Sequence, residues 1–399
     1  MEQNQTSLQR VHIGFFGRRN AGKSSLVNAV TGQMLSIVSP VSGTTTDPVQ
    51  KAMELLPLGP VMILDTPGID DKGELGQQRV ARSRRMLDKT DVAVLVLDAQ
   101  MGETDDDRAL LRLVQARGIP YVIAMNKADL VQERPEIAPH ALWVSALTGE
   151  GIDVLKKRIA RLGQSAEASR QLVGDLLTPG DKVLLVTPID ASAPKGRLIL
   201  PQQQTIRDIL DAGAIPLLCR PEELPVALEA LHAPPQLVIT DSQVFSQVYQ
   251  MLPAGQPLTS FSILFARFKG SLAQTSAGAQ TLDTLKDGDT VLISEGCTHH
   301  RQCDDIGTVK LPRLIKKYTG KELAFAFTSG GEFPDDLSAY ALVVHCGGCM
   351  LNDREMMHRM NLAASADVPI TNYGIAIAHM NGILKHALRP FGEIKQQTF

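Results

Sequence analysis

Gly17-Arg18-Arg19-Asn20-Ala21-Gly22-Lys23-Ser24 has the G-x-x-x-x-G-K-S form of a phosphate loop; it follows an apolar run, Val11 to Phe16, and opens a helical pattern, Ser25 to Thr31, that Gly32 closes. Strand, glycine loop and helix in that order constrain the local fold strongly. Backbone N–H groups turn inward around phosphate oxygens, and the helix N-terminus adds its positive end. Gly17, Asn20, Ala21, Gly22, Lys23, Ser24 and Ser25 are therefore expected to line a nucleoside triphosphate. Lys23 would lie along the β- and γ-phosphates, and Ser24 would place its hydroxyl on Mg²⁺.

The rest of the chain must fold around that commitment. At 399 residues it exceeds one ordinary core, and two or three domains are expected. To about Gln164, strand and helix patterns alternate, as a parallel sheet with helices on both faces requires. Val61 to Leu64, Val92 to Leu97, Tyr121 to Met125 and Ala141 to Val144 read as buried strands. Each runs into a polar cluster: Asp65-Thr66-Pro67-Gly68, Asp98, Asn126-Lys127-Ala128-Asp129 and Ser145-Ala146-Leu147. Ligands of open parallel sheets lie beyond the carboxyl ends of the strands, so these clusters are expected to converge on the phosphate loop.

Asn126-Lys127-Ala128-Asp129 is an N-K-x-D base reader. An ionised Asp129 only accepts hydrogen bonds, so it matches a base with two adjacent N–H donors, as guanine has, and disfavours adenine. Ser145-Ala146 would place a backbone N–H on the guanine carbonyl. Asp65 supplies a carboxylate to the Mg²⁺ shell, and the Gly68 N–H would sense the γ-phosphate. Gly43-Thr44-Thr45-Thr46-Asp47 would close over the metal through Thr45. GTP is thus the expected nucleotide, with Lys23, Thr45, Asp65 and Gly68 closest to its reacting end.

Ile152, Leu155, Ile159 and Leu162 repeat at helical spacing, and Gln164 to Arg170 reads as a linker. A second unit begins near Asp181, with strand patterns at Val183 to Val186, Ile215 to Cys219, Leu237 to Thr240 and Leu258 to Leu264. Helical patterns lie between them at Gln203 to Asp211, Pro221 to Leu231 and Ser242 to Leu252. This small α/β layer carries no catalytic constellation, so a scaffold or dimerisation role is its default; Cys219, on an apolar strand, reads as a core residue.

The third unit, from about Ala266, has strand patterns at Thr290 to Ser294 and Ala339 to Val344 and helical ones at Asn352 to Ala364 and Ile375 to Leu388. Both strands end at cysteines. Cys297-x-His299, a long gap, and His345-Cys346-x-x-Cys349 give three thiols and two imidazoles at two strand ends that parallel pairing would bring together. On chemistry alone the set fits either a closed zinc site or an iron–sulfur cluster held by three thiolates. Cys303 belongs to neither motif. Five cysteines, an odd count, and no export signal favour reduced thiols over a disulfide framework.

The balance of 40 Lys+Arg against 43 Asp+Glu, a net charge of −3, gives no reason to expect nucleic acid or an anionic membrane as partner. The polar stretch Met1 to Arg10 does not lead into an apolar signal segment, and no apolar run reaches membrane-spanning length. A cytoplasmic protein is expected.

With these residues in view, the first segment resembles the translation-factor-like GTPases of the tRNA-modification and ribosome-assembly type, whose phosphate loop has the form G-R-x-N-A-G-K-S. That resemblance implies a catalytic role for Asn20, which would hold K⁺ against the phosphates. Ile69 follows D-T-P-G where many signalling GTPases place a water-orienting glutamine. An apolar side chain cannot orient water, so slow intrinsic hydrolysis is expected unless the cation or a closed switch loop compensates.

The C-x-H…H-C-x-x-C pattern after such a GTPase domain makes the whole chain resemble the FeFe-hydrogenase maturation GTPases of the HydF family. The match covers all three units. It implies an α/β chain in three parts: a P-loop GTPase domain at 1–165, a small α/β dimerisation domain at 166–265 and an α/β 4Fe–4S cluster domain at 266–399. The cluster would sit on Cys297, Cys346 and Cys349, with His345 or His299 as candidates for the fourth position and His300 and Cys303 as fallback ligands. The implied role is a homodimeric scaffold or carrier that receives a di-iron precursor made with two radical-SAM maturases and delivers it to apo FeFe-hydrogenase. The alternative from another class is a ribosome- or tRNA-directed GTPase with a structural zinc domain.

Overall fold

The computed structural model describes residues 10–33, 49–66, 86–166, 171–189, 198–296, 305–349 and 351–392. They form two compact units, Met1–Ser169 and Arg170–Phe399.

In the first unit, β1 (Val11–Phe16), β2 (Val49–Leu55), β3 (Gly59–Asp65), β4 (Val92–Asp98), β5 (Tyr121–Asn126) and β6 (Ala141–Trp143) form one sheet in the order β2-β3-β1-β4-β5-β6. All neighbours are parallel except β2, which runs antiparallel to β3. Successive β1 residues feed opposite faces. Ile13 and Phe15 pack with Leu26, Val27, Leu155 and Ile159, whereas Phe16 packs with Leu64, Leu95, Leu110 and Val114. Both faces are covered, which is why these strands read as continuous apolar runs. Each fully buried Leu or Phe contributes about 1.5–3 kcal/mol by leaving water. The register then aligns the polar strand ends: Phe15 lies opposite Asp65, and Asp98 opposite Asn126.

The second unit holds two parallel sheets. β7 (Lys182–Val186), β8 (Ile215–Cys219), β9 (Leu237–Thr240) and β10 (Leu258–Ser260) are ordered β10-β9-β7-β8. β11 (Thr290–Glu295), β12 (Ala324–Ser329), β13 (Leu342–His345) and β14 (Ile370–Asn372) are ordered β12-β11-β13-β14. One core draws on both regions: Leu184 and Val186 cluster with Ile263 and Ala266 of the helix Phe261–Lys269 and with Ile375, Ala378 and Ala387. The junction expected between residues 265 and 266 falls inside that helix.

Several elements differ from the sequence expectations. The apolar run Leu258 to Leu264 is a strand only to Ser260, whose hydroxyl accepts the Ile263 N–H at 3.3 Å and caps a helix. A short apolar run fits either state, and the cap decides. The helical stretch Ile375 to Leu388 is two helices, Tyr373–Met380 and Leu384–Leu388, separated at Asn381-Gly382, where Gly382 takes φ 71°. Strands β2, β12 and β14 had no separate signal; β2 and β12 are sheet edges and β14 has three residues. Among the described residues no helix is long and apolar enough to cross a membrane.

Candidate functional site

The phosphate loop leaves β1 and enters the helix Lys23–Thr31 through Gly22, in a left-handed conformation at φ 85°. No side chain is tolerated at two of its glycines. A Cβ on Gly17 would lie 2.2 Å from the Val96 carbonyl oxygen, and one on Gly22 would lie 2.3 Å from Asn126 Nδ2. Lys23 is 7% exposed and its ammonium donates to the carbonyls of Gly17 at 3.0 Å and Arg18 at 2.7 Å. The Ser24 hydroxyl donates to Asp65 Oδ2 at 2.9 Å. A hydroxyl and a carboxylate held together are the hard oxygen donors that Mg²⁺ takes. Asn20 is exposed at the loop tip with φ 62°, a left-handed conformation that Asn tolerates.

The N-K-x-D segment is braced against this loop. Asn126 Nδ2 donates to the Ala21 carbonyl at 3.0 Å, and its Oδ1 accepts the Ala146 N–H at 3.1 Å, so one amide ties three segments together. Lys127, at φ 66°, pairs with Asp98 at 2.5 Å. Asp129 is exposed and accepts the Ser145 hydroxyl at 2.5 Å. Thus Gly17, Asn20 to Ser24, Asp65, Asn126, Lys127, Asp129, Ser145 and Ala146 all surround one loop system. Thr45, Gly68 and Ile69 lie outside the described residues.

Three supporting contacts had no functional reading in the sequence. Arg18 Nε lies 3.2 Å from Asp107 Oδ2, and Asp107 also accepts the N–H and hydroxyl of Thr104 at the start of the helix Asp105–Ala116. The T-x-x-D spacing is a legible cap signal, but nothing local points to Arg18. Thr66 donates to the Phe15 carbonyl at 2.7 Å. Arg134 donates to the Ala128 carbonyl at 2.9 Å and pairs with Glu150, linking the two base-side loops.

The cysteine end of the second unit rests on the pairing of β11 with β13, in which Ser294 lies opposite His345. Cys346 Sγ accepts N–H groups from Gly296 at 3.0 Å and Gly348 at 3.3 Å. This contact joins the end of β11 to the Cys-x-x-Cys segment that follows β13. Burial pushes the Cys346 thiol up to about 11, with the two N–H donors acting in the opposite sense. Coordination would offset that burial, because a metal binds the thiolate.

His345 is fully buried, and both ring nitrogens are engaged: Nδ1 with the Cys346 carbonyl at 2.7 Å and Nε2 with Arg359 Nη1 at 3.0 Å. Arginine only donates, so Nε2 is the acceptor and Nδ1 carries the proton. Burial, with the Arg359 charge beside it, holds the imidazole down at about 3. To serve as a fourth ligand through Nε2, His345 would have to leave Arg359. Arg359 is itself paired with Glu355 at 2.9 Å and bonded to the Gly330 carbonyl at 2.7 Å. Cys297, His299, His300 and Cys303 lie outside the described residues, and among the described residues no group of three His, Cys, Asp or Glu could hold a metal ion. Cys219 is part-buried against the core of the first sheet of this unit.

A sheet of this order, with a phosphate loop after β1 and N-K-x-D after β5, defines a P-loop GTPase domain, and the 50S ribosome-binding GTPase family model matches residues 12–127. The hydrogen maturase F dimerization domain matches residues 172–270, and the hydrogen maturase F tetramerization domain matches residues 273–390. The chain belongs to the hydrogen maturase F family.

Among curated relatives, the chain is 34% identical over 178 residues to GTPase Der of Wolinella succinogenes, covering 41% of this chain and 38% of that one. It is 39% identical over 170 residues to the tRNA modification GTPase MnmE of Synechococcus sp. (strain JA-3-3Ab), covering 40% and 36%. The chain thus spans well under half the length of these relatives. Among solved structures, Aquifex aeolicus Era bound to GDP·AlF4⁻ overlaps with TM-score 0.36 at 20% identity, covering 55% of this chain and 98% of that chain.

Proposed function

We propose that this chain hydrolyses GTP to GDP and phosphate and acts as a scaffold or carrier that assembles the di-iron precursor of FeFe-hydrogenase or delivers it to the apo enzyme. The observation that carries the reading is the joining, in one chain, of a GTPase unit to maturase F dimerization and tetramerization domains. The protein is then a cytoplasmic homodimer or higher assembly that exchanges cargo with radical-SAM maturases and apo-hydrogenase.

At the nucleotide, Lys23 exchanges its two carbonyl partners for β- and γ-phosphate oxygens and places a fixed positive charge where negative charge develops. Ser24, Asp65 and Thr45 would hold Mg²⁺, which when bound neutralises phosphate charge. Asn20, exposed beside the loop, would hold K⁺, and the Gly68 N–H would report the γ-phosphate. Asp129 reads the guanine N–H groups once it turns from Ser145, and Ala146 offers its N–H to the guanine carbonyl. Equal hydrolysis in Na⁺ and K⁺ would remove Asn20 from this scheme.

At the other end, Cys297, Cys346 and Cys349 would hold a 4Fe–4S cluster. The fourth position would fall to His345, once its ring leaves Arg359, or to His299. Iron and acid-labile sulfide in anaerobically purified protein test this half of the reading. Zinc without sulfide would favour a ribosome- or tRNA-directed GTPase with a structural zinc domain.

A further inference from the structure

Lys269 is the last residue of the helix Phe261–Lys269 and is 3% exposed. Its ammonium donates to three backbone carbonyls of one loop: Gly348 at 3.1 Å, Cys349 at 3.3 Å and Leu351. The Phe265 ring centre lies 5.7 Å away. An ammonium has three donors and no acceptor, so its hydrogen bonds are fully taken up by the loop that carries the Cys-x-x-Cys pair. Lys269 is therefore placed as a fixed charge with a fixed loop around it.

Burying an ammonium costs several kcal/mol, and carbonyl dipoles offset only part of that. Arg359, the other buried cation on this loop system, has Glu355 as its ion partner; the polar partners of Lys269 are carbonyl oxygens. The ammonium sits against the backbone of Cys349 itself, whose thiolate a metal would hold, so its charge lies beside the negative charge that coordination brings.

We propose that Lys269 is the counter-charge of the cysteine site: its ammonium holds the backbone at Gly348, Cys349 and Leu351 and favours the more negative, reduced state of a thiolate-held iron–sulfur cluster. This rests on the cluster reading above. It makes Lys269 a positioning residue that sets how readily the cluster accepts an electron, a role separate from ligation.

The test uses full-length protein reconstituted anaerobically with iron and sulfide, as wild type, Lys269→Met, Lys269→Gln and Lys269→Arg. Iron content, circular dichroism and the midpoint potential followed by paramagnetic resonance are read for each. The neutral variants are expected to hold a cluster whose reduced fraction at a given potential falls about tenfold, a midpoint lower by about 59 mV for one electron. Lys269→Arg should stay near wild type. Folded neutral variants that lose iron while Lys269→Arg keeps it would also support the counter-charge. Loaded neutral variants with the wild-type midpoint, or neutral variants that all fail to fold, would make Lys269 a structural pin and overturn the proposal. Wild-type protein that takes up no iron–sulfur cluster would overturn the cluster reading as well, and that result is visible before any variant is made.

Discussion

Two buried lysines among the described residues are wrapped by backbone carbonyls, and they differ in where those carbonyls come from. Lys23 bonds carbonyls 6 and 5 residues away, inside its own loop. Lys269 bonds carbonyls 79 to 82 residues away, on a loop of another sheet. The first arrangement is a local motif that a nucleotide can take over, because phosphate oxygens replace the two carbonyls without disturbing the fold. The second pins distant segments together, and a ligand that displaced it would have to break the core. On the proposed reading, exchange occurs at the lysine at one end of the chain and at the sulfurs the lysine supports at the other.

The sharpest way to break this comparison is at Cys346, whose sulfur meets the Gly296 N–H across the strand pair. Cys346→Ala is expected to lose most of the iron bound after reconstitution while hydrolysing GTP at the wild-type rate. Iron retained near the wild-type amount would remove Cys346 from the ligand set. Lys23→Ala is the converse. Loss of a charge aimed at the transferring phosphate typically costs about 10²–10³ in turnover, and iron content should be unchanged. Iron that falls with Lys23→Ala would show that the two ends are not separable.

A smaller effect sharpens the nucleotide side. Asp129→Asn puts an amide donor against the guanine N–H groups, and the mismatch of one charged hydrogen bond, about 1.5–3 kcal/mol, predicts GTP binding weaker by about 10–100-fold. Xanthosine triphosphate, with a carbonyl at that position, should bind the variant better than GTP does. Unchanged GTP affinity by titration would take Asp129 out of base reading. The smallest expected signal is optical. Trp143 ends β6 and has the Arg134 guanidinium 6.0 Å from its ring centre. Since Arg134 also holds the Ala128 carbonyl, ordering of the base-side loops by GDP should change the Trp143 emission. A spectrum indifferent to saturating GDP would disconnect that arginine from the base.

The same contrast explains what the sequence made legible. The strands of the first unit and the nucleotide motifs are contiguous, so local patterns reveal them; β1, β3, β4, β5 and β6 lie where apolar runs place them. The helix Phe261–Lys269 was hidden because its apolar run continues that of β10, and only the Ser260 cap separates the two. The pairing of Arg18 with Asp107, the wrapping of Lys269 and the Arg359–His345 contact have no local signal. Their meaning depends on partners that only the fold brings near. His345 is the instructive case: beside two cysteines in sequence it reads as a ligand, and in the structure its ring holds Arg359 and the Cys346 carbonyl.

We propose that the nucleotide end serves delivery from the cysteine end. This is tested most directly by loading the protein with the product of the radical-SAM maturases, adding apo FeFe-hydrogenase, and measuring hydrogen evolution with GTP and with a non-hydrolysable analogue. Activation that requires the loaded protein and is faster or more complete with GTP than with the analogue is the predicted result. Activation identical with either nucleotide, or absent from loaded protein, would contradict the account.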